Sequence, residues 1–135
     1  MKLSARTRAA IRVLLQVGLA KELMATRRIA TNLGIPQKFI TTVIVPLKRA
    51  GFLTVKRGIK GGLALAKPPD KISVVEVIEL FQGPFVILEC LSDRQHCSQK
   101  GSCPFLAQCA KINDVLLKGL RDYTLAKWIA GDRHS

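Results

Sequence analysis

A mainly α-helical fold with one small β-hairpin is predicted for this 135-residue chain on three observations. Apolar side chains recur at helical spacing through most of the chain, two short β-prone segments flank the glycine-rich loop within residues 52–66, and turn glycines and prolines fall between the periodic segments. The order of these segments reads as a winged helix–turn–helix followed by a long C-terminal dimerisation helix. The length suits a single ordinary domain, and 48% hydrophobic with 23% charged residues is a globular composition. Aromatic residues are only 5%, so aliphatic side chains must build the core.

The elements follow in order. Residues 4–20 carry Ala9, Ala10, Val13, Leu14, Val17, Leu19 and Ala20 at helical spacing, with Ser4 as N-cap and Arg6, Arg8 and Arg12 on a basic side. Thr26 is expected to cap a short helix over Arg27–Leu33, which Gly34 ends. Pro36 opens the next helix, running to about Ala50 with Phe39, Ile40, Val43, Ile44 and Leu47 inward. Pro46 inside it predicts a kink or an early end, because it removes one backbone hydrogen bond. Leu53–Arg57 and Leu63–Ala66 read as the strands of a wing, with Arg57 and Lys60 at its tip. Residues 67–70 form a hinge, and Ser73 caps a helix to about Gln82. Residues 83–102 read as irregular, and Pro104 opens a last helix to about Ala130 whose apolar stripe calls for a second copy of the chain. The division is thus 1–82 for the winged domain, 83–103 for a cysteine-rich loop, and 104–135 for the dimerisation helix and a short tail.

The net charge is +13, and it is all in the first half. Residues 1–67 hold fourteen Lys and Arg against the single acid Glu22, whereas residues 68–135 are balanced. Such a distribution points to a polyanion, and with the winged helix to double-stranded DNA. The helix from Pro36 would enter the major groove and present Gln37, Lys38, Thr41 and Thr42 to base edges and phosphates. Arg57 and Lys60 would reach the minor groove or backbone, and Lys2, Arg6 and Arg8 would contact phosphates.

Four cysteines, Cys90, Cys97, Cys103 and Cys109, fall within twenty residues at gaps of six, five and five. These gaps are wider than the paired tight knuckles of structural zinc sites and suit an iron–sulfur cluster, with Arg94 and Lys100 nearby to offset its negative charge. A zinc ion and redox-switching disulfides remain alternatives, and His96 is more simply a solvated loop residue than a ligand. No apolar run is long enough to cross a bilayer and no signal peptide is evident, so a cytoplasmic protein with no membrane partner is expected. Nothing resembles a nucleophile–base pair or a phosphate-cradling loop, and His96 and His134 are the only histidines, so no enzyme is expected.

Taken together, the helix–turn–helix, the segment LKRAGFLTVKRGIKGGLALAKPPDKISVVEVIE, the cysteine loop and the closing RDYTLAKWI resemble the IscR/NsrR family of bacterial regulators, the Rrf-two family. The resemblance covers nearly the whole chain, with the RGxxGG wing its most specific part. It implies a homodimeric winged-helix transcription factor, many members of which hold a 2Fe–2S or 4Fe–4S cluster on three cysteines per subunit and sense nitric oxide, redox state, or iron and cluster supply. Spacing back from Tyr123-Thr124-Leu125, Cys103 matches the last family ligand, Cys97 the second, and Cys90 lies within about a residue of the first. Cys109 is extra and is the tentative fourth ligand. Where some members have an acid this chain has Arg8, and where others have a histidine it has Leu106. Six helical residues span about 9 Å and roughly 240° of turn, so Cys103 and Cys109 diverge if the helix begins at Pro104. The leading reading is a DNA-binding regulator whose operator affinity is set by an iron–sulfur cluster. A cluster-free thiol/disulfide regulator and a small iron–sulfur electron carrier are the alternatives.

Overall fold

The computed structural model describes residues 2–92 and 103–131. Ten elements follow in order: α1 (Ala5–Leu19), α2 (Thr26–Leu33), α3 (Gln37–Arg49), strands β1 (Leu53–Lys56) and β2 (Gly62–Leu65), a 3-10 turn (Pro69–Lys71), α4 (Val74–Gln82), α5 (Glu89–Ser92), α6 (Pro104–Arg121) and α7 (Leu125–Gly131). The expectation of a mainly helical chain with one hairpin is met.

Helix α1 is the axle. Its N-cap Ser4 accepts a hydrogen bond from the Thr7 backbone N–H at 3.1 Å, and the two hydroxyls lie 2.8 Å apart. Ala9, Ala10, Val13, Leu14 and Val17 are buried, and α2, α3, α4, α7 and β2 all pack around them. Each methylene buried there stabilises the fold by about 0.8 kcal/mol. The helix–turn–helix joint closes as its sequence suggests. Gly34 takes the left-handed conformation (φ 65°), which lets the Ile35 N–H reach back to the Ala30 carbonyl at 3.1 Å. Gly51 ends α3 in the same way, with the Phe52 N–H on the Leu47 carbonyl at 2.9 Å. One detail differs from expectation: Thr26 is the first helical residue of α2, Ala25 is the N-cap, and no side chain caps that end.

Pro46 does not end α3 early, since the helix continues to Arg49. The proline removes the N–H that would have bonded the Thr42 carbonyl. Arg6 of α1 supplies the missing donor: its Nη2 donates to the Thr42 carbonyl oxygen at 3.0 Å, while its guanidinium lies 5.3 Å from the centre of the Phe81 ring on α4. Arg6, expected at a phosphate, therefore ties α1, α3 and α4 together through the carbonyl that Pro46 orphans.

The hairpin is antiparallel, pairing Leu53 with Leu65 and Lys56 with Gly62; Arg57 falls just beyond β1. Leu63 also exchanges both backbone hydrogen bonds with Met24 (2.8 and 3.1 Å), which fastens the base of the wing to the α1–α2 connection.

The C-terminal part departs most from expectation. Residues 83–102 are not wholly irregular, for α5 forms at Glu89–Ser92. The single helix expected from Pro104 to Ala130 is two helices. It breaks after Arg121, where Ser73 and Thr124 form a bridge: the Val74 N–H donates to the Tyr123 carbonyl and the Leu125 N–H to the Ile72 carbonyl. Leu125, Trp128 and Ile129 then turn back onto α1 as core, with Leu125 fully buried. Gly18 permits this approach, because a Cβ there would lie 2.7 Å from the Ile129 Cδ1.

Two side chains tie the segment after α4 to the rest. The Gln82 amide receives the Ser4 N–H and donates to the Lys2 carbonyl, both at 2.9 Å. Asn113 of α6, buried, accepts from the Ile87 N–H at 2.8 Å and donates to the Phe85 carbonyl at 3.2 Å.

Both kinds of tie can be tested by unfolding. Arg6→Ala lowers stability by about 1–2 kcal/mol, and by about 1 kcal/mol less in a Pro46→Ala background, where residue 46 regains an N–H for Thr42; urea unfolding of the four proteins in this cycle reads the difference. Asn113→Ala leaves two backbone groups unmatched and costs about 2–3 kcal/mol in the same assay, whereas Asp114→Ala, at the exposed neighbouring position, changes stability by less than about 0.5 kcal/mol.

Candidate functional site

Two sets of residues carry the chemistry that the sequence singles out. The first is basic and lies on the helix–turn–helix and wing. Gln37, Lys38, Thr41 and Thr42 are all exposed on α3, whose inward face is occupied by Ile40, Val43, Ile44 and Leu47. The two threonines use their hydroxyl protons internally: Thr41 Oγ1 donates to the Gln37 carbonyl at 3.0 Å, and Thr42 Oγ1 donates to the Phe39 carbonyl at 2.6 Å. They therefore offer methyl groups and acceptor lone pairs outward, and Gln37 and Lys38 remain as the side-chain donors at the start of the helix. Lys38, Thr41, Val45 and Lys48 share one helical face by their spacing, and Val45 is exposed there as well.

Lys2 and Arg8 have exposed side chains ahead of and within α1, and Arg57 and Lys60 are exposed at the wing. Arg12 is occupied, donating to the Leu33 carbonyl at the C-terminal end of α2 (3.3 Å), where a cation is favoured by the helix dipole. Sequence reasoning passed over Arg28. It lines a surface concavity together with Ala25, Ile59, Lys60 and Glu22, so the start of α2 and the wing tip form one surface. Its signal in the sequence was only a basic residue in the first turn of α2; the fold of the wing against Met24 is what brings it beside Lys60.

The second candidate set is the cysteines. Cys90 is half-buried in the first turn of α5. Cys103 is half-buried as the N-cap of α6, and its side chain makes no capping hydrogen bond. Pro104 has no N–H, and the first-turn N–H groups of Phe105 and Leu106 lack intrahelical partners. The positive end of an 18-residue helix thus lies at Cys103, where negative charge is favoured. Cys109 is buried on α6, one turn before Asn113 on the same face, and so belongs to the side that packs on the segment after α4. Because α6 does begin at Pro104, helical geometry turns Cys109 away from Cys103. Cys97 and His96 lie outside the described residues, as do Arg94 and Lys100. Among the described residues no three His, Cys, Asp or Glu side chains are grouped as a metal site.

A third feature is apolar. Phe105, Ile112, Val115, Leu116 and Tyr123 are exposed on and just after α6, at spacings that keep them near one side of the helix. Among the described residues no helix is long and apolar enough to cross a membrane.

Comparison with known proteins places this arrangement. The family model Rrf2, described as "Iron-dependent Transcriptional regulator", matches residues 3–131. The HTH-type transcriptional regulator NsrR of Bacillus licheniformis is 30% identical over 137 residues, covering 99% of this chain and 96% of that protein. NsrR of Oceanobacillus iheyensis is 31% identical over 135 residues, covering 98% and 92%. Among solved structures, CymR (YrzC), the global cysteine regulator of B. subtilis, superposes with a TM-score of 0.81 at 22% identity, covering 96% of this chain and 97% of that one. T. potens IscR gives 0.73 at 19% identity, covering 96% and 87%. The likeness spans both the basic helix–turn–helix and the helices beyond the cysteine segment, and the chain belongs to the Rrf2 family of DNA-binding transcriptional regulators.

Proposed function

We propose that the chain acts as a homodimeric regulator whose grip on a double-stranded operator is set by an iron–sulfur cluster held at Cys90, Cys97 and Cys103. The observation that carries the reading is the joining, in one short chain, of an uncompensated basic winged helix to a cysteine-rich segment whose last member before α6, Cys103, is the N-cap of that helix with its exposed apolar face. The donor set fits such a group: thiolates are the ligands that iron–sulfur clusters take, and Cys103 sits at a helix N-terminus that favours negative charge. When bound, the cluster would supply a redox- and ligand-sensitive centre. The remaining work falls to the chain's own side chains.

The face of Phe105, Ile112, Val115 and Leu116 would pair α6 with a second copy and so fix the distance between two recognition helices. Asn113 joins α6 to Phe85 and Ile87, three to five residues before Cys90, and Gln82 joins the end of α4 to the start of α1. A rearrangement around the cysteines is thus mechanically linked to both the dimer helix and the DNA-binding lobe. Breaking one side-chain pairing to a base edge, by shifting the half-site spacing, costs about 1–3 kcal/mol, so a modest movement suffices. On this reading the fourth ligand is not Cys109, whose buried position suits packing, and Arg8 and Leu106 cannot take the place. The protein would work in the cytoplasm, where DNA and reduced thiols coexist.

Two outcomes test this. Reconstituted anaerobically with ferrous iron and sulfide, the wild-type protein and Cys109→Ala gain visible charge-transfer absorption and matching iron and sulfide contents, whereas Cys90→Ala, Cys97→Ala and Cys103→Ala lose them. Colourless wild-type protein that forms linked cysteines under oxidant, seen by mass spectrometry, would instead establish the thiol/disulfide regulator. On the DNA side, the logarithm of affinity falls with the logarithm of salt at a slope of about −5 or steeper in fluorescence-anisotropy titrations, and Lys2→Ala makes that slope shallower by about 2 per dimer; a slope near zero would leave the basic lobe without a polyanion and reopen the electron-carrier reading.

A further inference from the structure

The tip of the hairpin carries a side chain that the fold does not use. The Gly61 N–H donates to the Gly58 carbonyl at 3.0 Å, closing a four-residue turn with Ile59 and Lys60 at its corners. Ile59 is exposed to 107% of its reference area, so it packs against nothing among the described residues. Corners of tight turns favour glycine, proline, asparagine, aspartate or serine for local reasons, and a β-branched aliphatic residue has none of these advantages. The exposed aliphatic residues Ile112, Val115 and Leu116 share a face of α6, whereas Ile59 projects from the tip of the hairpin. Cations outnumber acids around it: Lys60 follows it, Arg57 lies two residues before it, and Arg28 lines the same concavity, with Glu22 the one acid there among the described residues. An aliphatic group presented between cations fits a surface with an anionic rim and an apolar interior. The minor groove of duplex DNA is such a surface, with phosphates at its edges and deoxyribose C–H groups along its walls.

We propose that Ile59 is a specificity-determining residue of the wing, inserted between the sugar walls of the minor groove where it selects A·T pairs by shape. The proposal rests on the DNA-binding reading above and extends it to a residue with no hydrogen-bonding group. Isoleucine can neither donate to the adenine N3 and thymine O2 acceptors nor accept from the guanine amino group, so it reads space alone. At A·T pairs the groove floor is open and its walls are close enough to contact the aliphatic side chain. At G·C pairs the protruding N2 amino group occupies that space and keeps its own hydration only if the side chain withdraws. Arg57 and Lys60 would hold the two phosphate rims while Ile59 probes between them.

The experiment uses the full-length protein and a 30-base-pair duplex obtained by in vitro selection from a random pool. At positions outside the recognition-helix footprint, A·T pairs are replaced by G·C or by inosine·C, which keeps the major-groove face of G·C but lacks the minor-groove amino group. Wild-type protein is expected to bind the G·C duplex about tenfold more weakly than the A·T duplex, and the inosine·C duplex nearly as well as A·T. Ile59→Ala is expected to lose about three- to tenfold on the A·T duplex and to bind all three duplexes within about twofold of one another, with an unchanged melting temperature because the side chain is fully exposed. Lys60→Ala is expected to weaken all three equally. An Ile59→Ala protein that matches wild type on every duplex, or that keeps the wild-type ratio between G·C and inosine·C, overturns the proposal. A selection that enriches no sequence with the wild-type protein overturns the DNA-binding reading itself, and this proposal with it, before any variant is compared.

Discussion

Burial of one aliphatic face of α1 is the constraint on which the other elements depend. With few aromatic residues available, the core is assembled from Ala, Val, Leu and Ile around Ala9, Ala10, Val13, Leu14 and Val17, and the recognition helix, the wing, α4 and α7 each find their place by packing on that one helix. Small residues at positions 9, 10 and 18 let neighbouring helices approach closely, and close packing is what converts aliphatic surface into a defined geometry. A recognition helix needs such a geometry, because half-site contacts tolerate little error in position.

Polar side chains then set the details that apolar packing leaves loose. Arg6 completes the hydrogen bonding of α3 at the point where Pro46 interrupts it, so a residue that looks like a phosphate contact is part of the frame. Gln82 and Asn113 perform a similar service for the chain that leaves α4 toward the cysteines: both bond to backbone rather than to other side chains, so they fix the path of the segment whatever its sequence. Through these two amides the segment leading to the cysteines is joined on one side to the start of α1 and on the other to the middle of α6. In the proposed reading, that connection is the route by which a change at the cysteines would reach the spacing of two recognition helices.

In the proposed reading, charge and shape have separate roles in the basic lobe. The basic excess supplies long-range attraction that carries no sequence information, and it is concentrated in the half of the chain that holds the helix–turn–helix. Sequence discrimination must come from few side chains. Thr41 and Thr42, with their protons committed to the helix backbone, present methyls and lone pairs, while Gln37 and Lys38 retain their donors.

Periodicity and turn chemistry alone determined the helix–turn–helix, the hairpin and α4. These are local: Gly34 and Gly51 end helices because of their own backbone freedom, Ser4 caps α1 within one turn, and the apolar positions of each helix show its inward face before any partner is known. The exposed candidates on α3 and the wing were legible for the same reason, as the complement of that inward face. Tertiary structure decided what depends on residues distant in the chain. A continuous helical pattern from Pro104 to Ala130 does not reveal the break at Asp122–Thr124, because its cause is the bridge to Ser73 some fifty residues earlier. Nor does it show that Leu125, Trp128 and Ile129 turn inward as core while Ile112, Val115 and Leu116 stay exposed. Arg6, Arg28 and Asn113 took their places through neighbours 36, 32 and 26 or more residues away in the chain, beyond the reach of any local pattern.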